Sequence, residues 1–225
     1  MTDPAPPLPR RRPAGAILAI FALCLLPELV LLGADAGLWG TAHWRNMVYQ
    51  YGAFWPGLLG NWRPNYPGQA AAMFLSYGFL HAGLWHFVLN MATLFSLGTP
   101  LAARLGQARF LVLWALSTLG GAAGYALLSD TPQPMVGASG ALFGLAGALI
   151  GSDLADRLAD DGIETGRALA ALALTLLGLI ALNAAMYWAM GGRLAWQTHL
   201  GGFMAGWGAI LLLDRDPRIS PRGPD

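Results

Sequence analysis

A few polar side chains stand out because the stretches around them are apolar. They are His81, His86, Asn90, Ser139, Asn183 and His199. Serine, histidine and amide groups together are what nucleophilic catalysis requires, because neutral imidazole takes the hydroxyl proton and N–H groups stabilise the oxyanion. The pattern raises the hypothesis that Ser139 is a nucleophile and His199 its base.

Each residue also has a structural interpretation when it is taken alone. Ser139 lies in "GASG", and small residues of this kind crowd helix contacts in membranes. His81 and His199 can each bond a backbone carbonyl, and Asn90 can link two helices. The sequence "GASGA" also fails the G-x-S-x-G elbow of soluble hydrolases, because Ala141 stands at the last position.

The spacing of the polar groups predicts which of them share a face. His86 and Asn90 are four residues apart, so they lie on one side of a helix, with His81 expected about one and a half turns toward its outer end. The Asn90 amide, the His86 ring and the backbone N–H of Ser139 are candidate donors to an oxyanion.

Glycines follow both members of the candidate pair at helical spacing. They are Gly140, Gly144, Gly147 and Gly151 after Ser139, and Gly202 and Gly206 after His199. Small residues at such intervals let helix backbones approach closely in lipid. If these two faces meet, Ser139 and His199 come within reach of each other.

The composition is that of a polytopic all-α membrane protein. Hydrophobic residues make up 56% and charged residues 11% of the chain, against roughly 25% charged in soluble domains. The net charge of +1, with no basic tract beyond residues 10–12, disfavours a nucleic-acid partner. The single cysteine, Cys24, excludes an intramolecular disulfide and a thiol-rich metal site, and no metal or cofactor is expected.

Six apolar runs predict transmembrane helices, at residues 14–32, 74–97, 110–128, 139–151, 168–190 and 198–213, and the fourth of these is short. Residues 34–73, rich in Trp, Tyr and Pro, are expected to lie in the outer interface. Residues 14–213 then form one membrane domain between cytoplasmic tails at 1–13 and 214–225, the first of them disordered. Glu28 and Asn183, inside two of the spans, have no assignable partner and are treated as structural.

The arginines divide unevenly between the two predicted sides of the membrane. The inner segments hold Arg10, Arg11, Arg12, Arg104, Arg109, Arg157, Arg167, Arg215, Arg218 and Arg222, and the outer ones hold Arg45, Arg63 and Arg193. This bias predicts both termini in the cytoplasm of a bacterial cell membrane. A cleavable signal peptide is the alternative for the first run, and it leaves the orientation unchanged.

Three motifs together resemble those of the rhomboid family of intramembrane serine proteases. "HAGLWHFVLN" is similar to its H-x4-H-x3-N pattern, "GASG" to its G-x-S-G, and "AWQTHLGGFMAG" to its A-x3-H-x2-G-x3-G. Their order and spacing agree from the second predicted span to the sixth.

The resemblance implies a six-helix bundle with a short fourth helix and an interfacial loop after the first. It implies a Ser139–His199 dyad without an acidic third member, in a water-filled cavity open to the outer face, with His86, Asn90 and the Ser139 amide as the oxyanion hole. The substrates that it implies are single-spanning membrane proteins, cut near the outer end of their helix. The supporting residues would be His81, Gly137, Gly140, Gly202, Gly206 and Phe143, the last stacked on the histidine.

The chain departs from the family pattern at two places. A Trp-Arg pair common before the second-span histidines is replaced by Ala72-Met73, while "WR" occurs upstream at residues 44–45 and 62–63. The acidic residue common before "RLG" is also missing, since residues 102 and 103 are alanines. Both departures put the anchoring of the outer loop, and with it substrate docking, in question.

Three other functions remain open on the sequence alone. A catalytically inactive relative would bind transmembrane helices without cutting them. A metal site would use His81, His86 and His199, although no H-E-x-x-H run or nearby carboxylate supports it. A transporter would show a duplicated half, which the sequence does not contain. The oligomeric state is not predicted.

Overall fold

A computed structural model describes residues 14–159, 164–189 and 191–214, and it folds them almost entirely into helices. The helices are α1 (Gly15–Asp35), α2 (His43–Gly52), α3 (Gln69–Ser76), α4 (Leu84–Leu105), α5 (Gln107–Leu128), α6 (Ser139–Leu158), α7 (Thr165–Ala189) and α8 (Trp196–Leu213). Short 3-10 segments lie at Pro56–Leu59 and Tyr77–Phe79. The predicted tail at 1–13 and all of the second tail except Asp214 lie outside the described residues.

The outer surface of the bundle is apolar, as a lipid-facing surface must be. Along α7, large side chains such as Leu174, Leu177 and Ile180 are exposed. Three helices, α1, α5 and α7, are long and apolar enough to cross a membrane, and the bent pair α3–α4 makes a fourth if it counts as one span. The fold is therefore that of an all-α membrane protein.

The predicted count of six spans stays a prediction. Among the described residues, α6 and α8 do not reach the hydropathy of the other spans. Glycine contributes almost nothing to hydropathy and is frequent in both helices. Polar residues lower the value further, at Asp153 and Asp156 in α6 and at Gln197 in α8.

The second predicted span, 74–97, is wrong as a continuous helix. The chain bends by 81° between Gln69–Phe79 and Leu84–Leu105. Gly83 stands in this break with a φ of +103°, a conformation that glycine adopts readily. His81 therefore lies in the break rather than one and a half turns along the helix of His86. The fourth helix also differs, because α6 has 20 residues and continues to Leu158.

The contact between α6 and α8 that the glycine spacing predicts is present, and it is a backbone contact. A Cβ atom on Gly202 would lie 1.9 Å from the carbonyl oxygen of Gly140, and one on Gly206 would lie 1.9 Å from that of Gly144. No side chain fits at either position without moving a helix.

A second backbone contact joins α8 to α5, and the sequence analysis did not predict it. A Cβ on Gly201 would lie 2.3 Å from the carbonyl oxygen of Gly120, and one on Gly124 would lie 2.5 Å from that of Gln197. Helix α8 is thus held closely against both α5 and α6.

Arg45 anchors the segment after α1, where the sequence left the anchoring in question. Its guanidinium donates to both carboxylate oxygens of Glu28 at 3.1 Å, to Asp35 at 2.7 Å and to the carbonyl of His81 at 2.8 Å. Burial lowers the pKa of Arg45, but its hydrogen bonds to Glu28 and Asp35 outweigh that effect and keep the pKa above its ordinary value. Glu28, 2% exposed, thus has the partner that sequence analysis could not assign.

Arg104 joins three helices at the opposite end of the bundle. It leaves α4 and forms hydrogen-bonded ion pairs with Asp156 of α6 and with Asp214, which follows α8. Arg104 therefore has acidic partners distant in sequence, although residues 102 and 103 are alanines.

The backbone contact predicts that a single methyl group at Gly206 destabilises the fold. Gly206→Ala should lower the free energy of unfolding by roughly 1–3 kcal/mol, the usual effect of overpacking. The measurement is the thermal unfolding midpoint of the purified protein in detergent. Gly208→Ala is the matched control on the same helix, because a Cβ there meets nothing within 4 Å. Equal midpoints for the two variants would contradict the contact.

Removing Arg45 should leave the Glu28 carboxylate buried and uncompensated. Breaking one side of a buried pair costs roughly 3–5 kcal/mol, so Arg45→Met should lower the unfolding midpoint strongly. The double variant Arg45→Met/Glu28→Gln should recover part of the loss. Arg63→Met, at an exposed arginine in the other Trp-Arg pair, is the control and should leave the midpoint unchanged. An Arg45 variant as stable as this control would show that the anchor is dispensable.

Candidate active site

Ser139 is the first residue of α6, and the segment before it is fixed by backbone hydrogen bonds. Met135 pairs with Phe54 through two N–H···O bonds of 2.9 and 3.0 Å, and the Gly137 N–H donates to the Tyr77 carbonyl at 3.0 Å. Gly137 has a φ of +131°, which a residue with a side chain rarely adopts. This segment therefore sets where the serine enters the helix.

Ser139 and His199 are in direct contact. The Oγ of Ser139 lies 3.0 Å from Nε2 of His199, across the interface between α6 and α8. His199 is 3% exposed, and the ring of Phe143 stacks on it with centroids 4.1 Å apart and planes 7° from parallel. The structure thus brings together the two candidate catalytic residues and the aromatic side chain that the resemblance implied.

The other nitrogen of His199 has a partner that the sequence analysis missed. Nδ1 lies 3.0 Å from Oδ1 of Asn183, on α7. Asn183 had been assigned no partner because nothing in the spacing connects α7 to α8. A polar amide inside an apolar span was the signal available, since such residues usually face the interior and find a partner.

The His86 ring lies close to the segment that leads into Ser139. The Ala82 N–H donates to Nδ1 of His86 at 3.1 Å, so the neutral ring carries its proton on Nε2. A Cβ on Gly137 would lie 2.9 Å from that Nε2 and 3.7 Å from the Ser139 Oγ, so both atoms lie near Gly137.

Asn90 and the Ser139 backbone offer further donors. The side-chain nitrogen of Asn90 is buried and has no hydrogen-bond partner among the described residues. The Ser139 N–H belongs to the first turn of α6, whose N–H groups lack intrahelical acceptors and lie at the positive end of the helix dipole. Both groups are thus candidate donors to a substrate oxygen.

His81 lies behind the site rather than in it. Its ring packs edge-on against His86 and Phe87, with centroids 5.3 and 5.4 Å apart, and its carbonyl accepts from Tyr49 as well as from Arg45. Both His199 nitrogens are engaged, and within the described chain no three His, Cys, Asp or Glu side chains are grouped as metal ligands. This arrangement does not favour the three-histidine metal site.

His199 separates two openings of different character. One is a cavity of about 680 Å³ with a mixed polar and apolar lining, which includes Ser139 and His86 and is bordered by the segments that precede α6 and α8. The other is a cleft of about 540 Å³ between α7 and α8, lined almost entirely by apolar side chains, with Asn183 at its inner wall. Ser139 lines the polar cavity, and Asn183, the partner of His199 Nδ1, lines the apolar cleft.

Comparison with known proteins identifies a family model and relatives that match much of the chain. The model of the Rhomboid domain matches residues 68–215. RHOMBOID-like protein 2 of Arabidopsis thaliana is 31% identical over 210 residues, which cover 91% of this chain and 58% of the relative. RHOMBOID-like protein 5 of the same plant is 34% identical over 154 residues, 65% of this chain and 47% of the relative.

A bacterial relative matches over a shorter stretch. Rhomboid protease GluP of Bacillus subtilis is 37% identical over 78 residues, 35% of this chain and 15% of its own length. The chain spans about half the length of the plant relatives named above. Because the domain match covers most of the chain and includes all three sequence motifs, this protein belongs to the rhomboid family.

Proposed function

We propose that this protein is an intramembrane serine endopeptidase. The observation that carries the proposal is the 3.0 Å contact between the Ser139 hydroxyl and Nε2 of His199. A serine within hydrogen-bond reach of a base, which is itself oriented by a third group, is the arrangement that nucleophilic catalysis needs.

In the acylation step, Ser139 Oγ attacks the carbonyl carbon of the scissile peptide bond while His199 Nε2 takes its proton. The negative charge that develops on the carbonyl oxygen is stabilised by the donors of His86, Asn90 and the Ser139 backbone. The imidazolium then gives its proton to the leaving nitrogen, the C–N bond breaks and an acyl ester remains on Ser139.

In the deacylation step, a water molecule attacks this ester and His199 takes one of its protons. The carboxylic acid product leaves as the Ser139 oxygen recovers a proton from the imidazolium, which restores the starting state. The water enters through the 680 Å³ cavity, whose lining includes polar side chains.

The proposed substrates are membrane proteins with a transmembrane helix, cut near the outer face. The serine lies at the N-terminal end of α6, so the peptide bond must reach that depth and be unwound there. We further propose one membrane domain over residues 14–213, in a bacterial cell membrane with both termini in the cytoplasm, as the arginine distribution indicates.

A catalytically inactive protein that binds transmembrane helices is the second candidate. The names of the RHOMBOID-like relatives do not state a protease activity. The 3.0 Å contact between the Ser139 hydroxyl and Nε2 of His199 favours the enzyme, because a binding scaffold does not require a serine within hydrogen-bond reach of a base.

Replacement of either member of the pair should abolish cleavage. The assay uses the purified protein in detergent with a model single-span substrate, and follows product with and without a metal chelator. Ser139→Ala and His199→Ala should reduce turnover to background while the chelator has no effect. Cleavage that survives Ser139→Ala, or that stops with the chelator, would contradict the proposed mechanism.

The oxyanion role of Asn90 has its own test. Asn90→Ala should lower kcat by about 10²–10³, the usual effect of removing an oxyanion donor, with the unfolding midpoint retained. Thr93→Val is the matched control on α4, because the Thr93 hydroxyl donates only to the carbonyl of Leu89 within its own helix. If the Asn90 variant turns over substrate as fast as the Thr93 variant, Asn90 is not an oxyanion donor.

A further inference from the structure

The side chain of Asn183 makes a hydrogen bond that neither the family motifs nor the dyad account for. Its carbonyl oxygen Oδ1, and not its amide nitrogen, faces Nδ1 of His199 at 3.0 Å. An oxygen at this position can only accept, so it pairs with a protonated Nδ1.

This orientation selects one of the two neutral forms of the imidazole ring. With the proton held on Nδ1, Nε2 keeps its lone pair and accepts from the Ser139 hydroxyl at 3.0 Å. In the other tautomer Nε2 would carry the proton and could not deprotonate the serine. The group bonded to the far nitrogen of a catalytic histidine therefore decides whether it acts as a base.

The surroundings leave Nδ1 few other partners. Asn183 and His199 both line the cleft between α7 and α8, whose other walls are apolar side chains such as Leu179, Phe203 and Met204. Phe143 stacks on one face of the imidazole ring of His199 and excludes water from that face. Without Asn183, the Nδ1 proton would face an apolar surface and lose its acceptor.

The bond also ties α7 to the catalytic helix. Helix α7 packs mainly against α6, and its contacts with α8 are sparse. Its apolar side chains face outward along its length. The position of α7 therefore affects His199 through a hydrogen bond rather than through close packing.

We propose that Asn183 is a positioning residue that fixes the tautomer and orientation of His199. It gives the Ser139–His199 pair a neutral third member, contributed by α7. The proposal rests on the proposed serine protease function, and it adds a role for a helix that carries none of the family motifs quoted above.

The test compares two substitutions of nearly equal size. Asn183→Leu removes the acceptor and should lower kcat about 10- to 100-fold with KM nearly unchanged, because substrate binding does not involve Nδ1. Asn183→Asp keeps an oxygen at the same place and should retain kcat within about threefold of the parent protein. Thr175→Val is the control on α7, since the Thr175 hydroxyl bonds only the carbonyl of Ala171 in its own helix.

The outcomes separate the positioning role from a structural one. A loss in the Leu variant that the Asp variant restores, at similar unfolding midpoints, supports the proposal. Full kcat in the Leu variant, or equal loss of kcat in the Leu and Asp variants, overturns it. Failure of the proposed function looks different, because the parent protein would then either cleave nothing or still cleave after Ser139→Ala, whatever stands at position 183.

Discussion

The site depends on two helix backbones that approach so closely that no side chain fits between them. Gly140 and Gly144 of α6 meet Gly202 and Gly206 of α8 so tightly that a Cβ on either α8 glycine would lie 1.9 Å from a carbonyl oxygen. In lipid there is no hydrophobic gain from bringing helices together, so packing of this kind replaces it. Ser139 and His199 stand at the starts of these two helices, and their 3.0 Å contact depends on the backbones remaining this close.

Other contacts position the rest of the site around this pair. The pairing of Met135 with Phe54 and the bond from Gly137 to Tyr77 set the point at which Ser139 enters α6. Arg45 holds α2 against α1 and against the break before α4, and α4 carries the candidate donors His86 and Asn90. Arg104 joins the far ends of α4, α6 and α8. Helix α7 is the exception, because it is held loosely by packing and meets the site through one amide.

Much of the site follows from the sequence because the motifs are local. The four-residue spacing of His86 and Asn90, and the glycines that follow Ser139 and His199, each describe one face of one helix. The errors concern one local break and the relations between distant segments. The span predicted at 74–97 is bent, because hydropathy does not register the break at Gly83. Glu28 and Asn183 were left without partners because their partners, Arg45 and His199, lie on other elements at no fixed spacing. The catalytic roles themselves remain predictions.

The central claim is that Ser139 is a nucleophile activated by His199. Its most direct test is covalent labelling of the purified protein with a fluorophosphonate, which reacts with activated serine hydroxyls, followed by peptide mass spectrometry. The account predicts one phosphonylated residue, Ser139, and no labelling of a folded His199→Ala variant. Equal labelling with and without His199, or a modified residue other than Ser139, would contradict it.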